Sequence, residues 1–324
     1  MIKHVVSSNM PVDEKLEIIK NRIYPLRPKG KNKIISIVTG THGDELEGQY
    51  VCYRLNEILN QNRDKLTGIV DIYPALNPLG IDTITRGIPM FDLDMNRIFP
   101  GNEEGSMVEY IAAGITEDLS KSDCCIDIHA SNIYLTEIPQ VRINEITAEE
   151  LLPLAKELNV DFVWVHSNAT VLESTLAYSL NSVGVPTLVV EMGVGMRITK
   201  KYGDQLVDGI LNLMKKMGMW TGETVMARDP IVSADPEEIC FINAPSAGIF
   251  LPEKEHWKPV KKGERIGKIV SPLTGEVLSE LCAEADGILF TIREYPVVNE
   301  GSLIARILRG GHKSESIEKA GRDK

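Results

Sequence analysis

The sequence predicts an α/β domain, a mixed sheet flanked by helices, followed by a smaller all-β barrel or sandwich module. Three observations carry this. Apolar, β-branched runs such as Ile34-Ile35-Ser36-Ile37-Val38 alternate with helical periodicities through the larger part of the chain. Several of those runs end in an ionisable residue, the pattern of strands whose carboxyl edge faces a site. After Glu238 helical periodicity disappears, and short strands separated by glycine turns follow one another. At 324 residues the chain exceeds the usual single domain. The expected division is 1–225 for the α/β domain, 236–310 for the β module and 311–324 for a charged tail, expected to be disordered.

Composition narrows the function classes. Hydrophobic residues at 43% and charged residues at 25% are globular values. No apolar run approaches the roughly 18 residues of a membrane span. The opening Met1-Ile2-Lys3-His4-Val5-Val6 lacks the apolar core of a signal peptide, so a cytoplasmic protein is expected. A net charge of −11 and a pI near 5.2 argue against nucleic acid or an anionic membrane as partner and leave a small molecule. Cys52, Cys124, Cys125, Cys240 and Cys282 have neither disulfide nor zinc-thiolate spacing and read as reduced, mostly buried thiols.

In chain order, residues 1–30 carry a short helical pattern near Leu16, Ile18 and Ile19, closed by Pro25, Pro28 and Gly30. The strand at 34–38 runs into Gly40-Thr41-His42-Gly43-Asp44-Glu45-Leu46-Glu47-Gly48, a strand-to-helix turn. Val51, Leu55, Ile58 and Leu59 then mark the helix. A second strand, 69–76, stops at Asn77-Pro78 before a long polar loop with Arg86, Asp94, Asn96 and Arg97. Met107, Tyr110, Ile111 and Leu119 predict a helix, and 124–130 a strand in which Asp127 and His129 share one face. Helices near 151–158 and 172–180 frame a strand at 161–166. Pro186-Thr187-Leu188-Val189-Val190-Glu191 sets a carboxylate at the end of a buried strand, where a lone charge needs a reason. Leu206, Ile210, Leu213 and Met214 close the domain, and 220–238 reads as a linker.

His42 and Glu45, three residues apart in a bending turn, can converge on one cation, with Gly40 and Gly43 permitting close backbone approach. An isolated His-x-x-Glu is more often a satisfied loop histidine beside an acidic helix start. His129 alone is more often a hydrogen-bonded core imidazole. Jointly, two histidines and a glutamate at neighbouring strand ends leave a fourth position for water, as at catalytic zinc sites. His4, His256 and His312 read as bystanders, and His166 has a lesser claim to a place near the site.

The ordered set Gly40-Thr41-His42-Gly43-Asp44-Glu45, Asn77-Pro78 with Arg86 and Asp94-Met95-Asn96-Arg97-Ile98-Phe99-Pro100-Gly101, Asp127-Ile128-His129 and Val190-Glu191-Met192-Gly193 resembles the succinylglutamate desuccinylase and aspartoacylase family, a branch of the zinc carboxypeptidase-like hydrolases. The resemblance covers about 34–310. It implies one Zn2+ per chain on His42, Glu45 and His129, Glu191 as the catalytic carboxylate and Arg86 as donor to the developing oxyanion. It also implies Asn96 with Arg97 as the clamp on a substrate carboxylate, and a β module placed near the site mouth. Arg142 is a candidate reader of a second substrate carboxylate, with a solvated strand-end arginine as the commoner alternative. The function implied is a zinc-dependent amidohydrolase, a deacylase of N-acyl amino acids or related small carboxylate-bearing amides. Alternatives are a metallocarboxypeptidase acting on short peptides, a metal-storing protein, for which Glu191 would have no use, and a prosthetic-group carrier. The last is weakened because the strings Val260-Lys261-Lys262-Gly263-Glu264 and Ala285-Asp286-Gly287-Ile288 lack the modified-lysine tip between them.

Overall fold

The computed structural model of the chain describes residues 1–28, 32–168 and 172–310. Gly30, His312 and the tail at 311–324 lie outside the described residues. Two compact units divide the rest. The first holds Met1–Asn132 and Pro139–Ala234, and the second holds Ile133–Ile138 and the chain from Asp235 onward.

The first unit is built on strands β1 (Ile2–Asn9), β2 (Lys15–Ile23), β3 (Ile34–Thr39), β4 (Ile69–Tyr73), β5 (Cys124–His129), the part of β6 (Leu135–Asn144) from Pro139 onward, β7 (Phe162–His166), β8 (Thr187–Gly193) and β9 (Ile231–Ser233). Its helices are α1 (Glu47–Gln61), α2 (Pro78–Thr83), α3 (Met107–Leu119), α4 (Ala148–Ala155), α5 (Leu176–Ser182) and α6 (Lys200–Lys216). The strand order is β1-β2-β4-β3-β5-β8-β6-β7-β9. The β1 and β2 pairings are antiparallel, whereas β4, β3, β5 and β8 run parallel. The predicted mixed α/β sheet is therefore what forms. Because side chains alternate across a strand, Ile37, Ile126 and Leu188 pack with Val51, Leu55 and Ile210 on one face, and Val38 and Cys125 pack with Ile111, Ile115 and Leu180 on the other. Each such side chain withdrawn from water contributes about 1.5–3 kcal/mol.

Three local expectations are corrected. Residues 15–23 form a strand, not a helix: Leu16, Ile18 and Lys20 are buried at every second position, while Ile19 faces out. The Lys20 ammonium is satisfied by Asp71 at 2.9 Å, the Tyr73 hydroxyl at 3.0 Å and Asp118. The sequence reading reaches β6 only through Arg142 as a strand-end arginine, whereas the strand runs over Leu135–Asn144 with Pro139 inside it. In the fold Pro139 needs only its carbonyl, which accepts from Asp161 N at 2.9 Å. The expected linker carries β9, which pairs in parallel with β7.

The second unit is all-β, with β10 (Ile239–Asn243), β11 (Gly248–Pro252), β12 (Lys258–Val260), β13 (Arg265–Val270), β14 (Val277–Cys282), β15 (Gly287–Arg293), β16 (Val297–Val298) and β17 (Leu303–Arg309). β14-β13-β11-β16 form one sheet; β15 pairs with β12, with β17 and with residues 135–137. Buried Glu137 explains why that short stretch belongs here: it accepts from Arg306 Nη1 at 2.6 Å and Thr291 Oγ1 at 2.9 Å. No described helix is long and apolar enough to cross a membrane. The five cysteines are free thiols, all buried but Cys282.

In the first unit, Gly193 ends β8 at φ +67°, and a Cβ there would lie 1.9 Å from Glu47 Oε1. Glu47 is fully buried, and its two oxygens accept from Thr199 N at 2.9 and 2.8 Å. Gly193→Ala is expected to lower the urea-unfolding free energy by about 2–5 kcal/mol, combining a left-handed penalty with overpacking. Gly184 has φ +82° and nothing within 4 Å of its virtual Cβ. Gly184→Ala should therefore cost only about 1–2 kcal/mol.

Candidate metal centre

The site begins where β3 stops. Gly40 takes φ +68°, and Gly43, lacking a Cβ, lies against the Gly80 backbone, where a Cβ would come within 1.9 Å. Asn77 holds this approach in place. Its side chain caps α2 by accepting from Gly80 N at 2.9 Å and donates to Gly87 O at 3.0 Å, and its main-chain N–H donates to Gly40 O at 2.8 Å. Pro78 follows at the first helical position, where a missing N–H costs nothing. The Asn-Pro pair thus fastens the turn to the loop that carries Arg86.

Glu45, 3% exposed, places its carboxylate between two imidazoles. Oε1 lies 2.8 Å from His42 Nδ1, Oε2 lies 2.9 Å from His129 Nδ1, and the two rings are 5.1 Å apart. On the opposite nitrogens, His42 Nε2 hydrogen-bonds Asp94 Oδ1 at 2.8 Å, and His129 Nε2 lies 3.1 Å from Asp127 Oδ2 as an ion-pair contact. Arg86 reaches in from its loop, Nη1 donating to Glu45 Oε1 at 2.8 Å, with Nη2 3.5 Å from Asp94 Oδ2. His129 ends β5 directly beside Glu191 of β8 in the parallel register.

Ionisation follows from this crowding. Burial pushes the His42 and His129 pKa values down, yet carboxylates outweigh it, Asp94 and Glu45 for the first and Asp127 and Glu45 for the second. Both rest above the ordinary value, His129 well above. Burial would raise Glu45 and Asp94, but the imidazoles hold both carboxyls below the usual range.

The donor set fits a divalent cation. One atom each from His42, Glu45 and His129 lie within 4.8 Å of one another, and all three residues are buried. Glu45, Asp94 and Asp127 against the single guanidinium of Arg86 leave two negative charges when both imidazoles are neutral. Nitrogen and carboxylate oxygen suit zinc, and carboxylates behind the ligating imidazoles are what zinc sites use to fix ring orientation.

Glu191 has a side chain 16% exposed, paired with Arg142 Nη1 at 3.3 Å. Arg142 lies within the body of β6, 27% exposed, so it is not a solvated strand-end arginine. Asn96 and Arg97 do not share one task here. Asn96 Oδ1 accepts from Leu176 N at 2.9 Å, stapling the start of α5, while exposed Arg97 donates from Nη1 to Asn96 O at 2.8 Å. His166 stacks on Trp164, centroids 4.4 Å apart, outside the ligand group. The role of Asp94 was missed in the sequence. Its one local signal is that it caps the turn at 95–97, accepting from Asn96 N at 2.9 Å.

A family model of the succinylglutamate desuccinylase/aspartoacylase catalytic domain matches residues 31–217, more than half of the chain. The chain belongs to that family. A curated relative, the N-alpha-acetyl-L-2,4-diaminobutyric acid deacetylase of Halomonas elongata, is 27% identical over 288 residues, spanning 86% of this chain and 83% of the relative. Among solved structures, the fold is shared with the product-bound ectoine utilization protein EutE (DoeB) of Ruegeria pomeroyi, at TM-score 0.81 and 19% identity over 95% of each chain. It is also shared with a succinylglutamate desuccinylase/aspartoacylase from Rhodobacter sphaeroides, at TM-score 0.77 and 22% identity over 95% of this chain and 94% of that one.

Two outcomes are expected for this family member. His129→Ala should abolish stoichiometric zinc binding, whereas Asp94→Asn and Asp127→Asn should keep the ion with affinity lowered by about 10- to 100-fold, read by competition with a chelator. Full affinity in both asparagine variants would remove their orienting role. Because neighbouring carboxylates raise the pKa of both imidazoles, protons compete with the ion for the same nitrogens, and affinity must fall as pH falls. Calorimetry in buffers of different protonation enthalpy should show release of about one to two protons per zinc.

Proposed function

We propose that this protein is a zinc-dependent amidohydrolase, a deacylase that removes an acyl group from an N-acyl amino acid or a related small carboxylate-bearing amide. The observation that supports it most is a buried His42–Glu45–His129 group with an ionisable carboxylate, Glu191, on the next strand. Zinc held there would supply Lewis acidity to the scissile carbonyl and bring the pKa of water from about 15.7 towards about 7.

The chain's own residues do the remainder. Glu191 takes the proton from the attacking water and delivers it to the leaving amine, so a single carboxylate serves as base and then acid. Arg86, fixed at the metal turn, donates to the oxygen on which charge develops, and the loss of such a donor costs about 100- to 1,000-fold in rate. Arg97, exposed and always charged, meets the free carboxylate of the substrate, while Asn96 fixes the segment that carries it. The first unit is the catalytic domain in this reading. The free thiols fit a reducing cytoplasm.

The name of the Halomonas relative, a deacetylase of an N-acetylated amino acid, supports the acyl amino acid class. No comparable observation favours the carboxypeptidase alternative. The test is a panel of N-acyl amino acids offered to the zinc-loaded protein and scored by free amine released. Glu191→Gln should retain zinc and lose about 100- to 10,000-fold in kcat, because an amide cannot accept the proton. Undiminished turnover would place the base elsewhere.

A further inference from the structure

Four adjacent strands, β5, β8, β6 and β7, line up His129, Glu191, Arg142 and Trp164 across the sheet of the first unit. Glu191 stands near the end of β8, two residues before its last residue Gly193, on three rotatable bonds. A carboxylate that must accept a proton in one direction and deliver it in another needs its plane held. Arg142 supplies that hold. Its Nη1 is 3.3 Å from Glu191 Oε1, and its guanidinium lies over the Trp164 ring at 5.7 Å from the centroid. Trp164 is in turn stacked on His166 at 4.4 Å and 28°. The parallel register makes this arrangement unavoidable, since Arg142 pairs with Trp164 and Asn144 with His166.

We infer that Arg142 is a positioning residue for Glu191, aimed by the stacked Trp164–His166 pair, and not a reader of the substrate carboxylate. This inference rests on the deacylase reading given above. An arginine can serve here where a lysine cannot. Its delocalised guanidinium can lie over an indole face while one edge donates to a carboxylate, and an ammonium offers no such planar fork. A substrate carboxylate drawn to Arg142 would share the guanidinium with Glu191 and weaken the hold on the group that performs the proton transfer. The Trp164–Arg142–Glu191 arrangement is therefore better suited to a fixed geometry than to a changing partner.

The test is steady-state kinetics of the full-length, zinc-loaded protein on the N-acetyl amino acid it turns over best, with zinc stoichiometry and melting temperature measured on every variant. Arg142→Met, which keeps most of the side-chain volume, should lower kcat by on the order of 100-fold through misplacement of Glu191. Its KM should stay within about two-fold, since ground-state binding is untouched. Arg142→Lys should recover only part of that loss. Trp164→Ala should show a smaller fall in kcat and Trp164→Phe almost none, which keeps the inference testable if an Arg142 variant folds poorly. A rise in KM at unchanged kcat would make Arg142 a substrate reader and overturn the inference, as would unaltered kinetics. Glu191→Gln serves as the control. If it is inactive while Arg142→Met is fully active, only this inference fails; if Glu191→Gln is itself active, the deacylase mechanism through Glu191 fails and this inference with it.

Discussion

A carboxylate almost wholly withdrawn from water is the constraint on which this structure depends. Glu45 is buried between two imidazoles, and an isolated charge in such a place would neutralise itself or unfold its surroundings. Instead it is held ionised, with further carboxylates behind each ring and one guanidinium against it. The cluster carries more negative charge than its arginine offsets. The surplus of carboxylates favours the protonated form of His42 and His129, which is why both are raised despite burial. The same imbalance is what makes a dication a natural occupant, so that the metal and the protons are alternative solutions to one electrostatic problem.

The fold meets this constraint by ending its parallel strands together and then cross-tying the loops beyond them. β3 delivers the turn with His42 and Glu45, β5 delivers His129, and β8 delivers Glu191 beside it. Two ties connect the metal turn to the segment that follows Glu191. Met196 N donates to Asp44 O at 2.6 Å, and the buried Glu47 carboxylate accepts from Thr199 N. Gly195 N also donates to Asn132 O at 3.3 Å, bringing in the segment after His129. His42, Glu45, His129 and Glu191 thus share one braced rim, the rigidity that a site requiring sub-ångström placement needs.

Much of this was legible in the sequence because it rests on local signals. Glu191 at the end of an apolar strand and His129 on the same face as Asp127 follow from the two-residue period of strands. The α/β alternation and the change of texture after 238 are likewise local. What escaped reading depends on contacts distant in sequence. The second strand was read as helical because Ile18 and Ile19 are adjacent. Only the burial of Lys20, satisfied by Asp71, Tyr73 and Asp118, reveals the two-residue period. The placement of Arg142 on Trp164 rests on the pairing of β6 with β7, segments distant in sequence. Asp94 stands 52 residues from the imidazole it orients, and nothing in its local sequence announces that partner.

The central claim is that one buried carboxylate and two imidazoles, each backed by a further carboxylate, form a zinc site. X-ray absorption at the zinc edge of the loaded protein tests it most directly. The account predicts a first shell of nitrogen and oxygen only, at about 2.0–2.1 Å, with the outer-shell scattering of two imidazole rings. A sulfur scatterer at about 2.3 Å, or the outer-shell signature of a third imidazole, would contradict it.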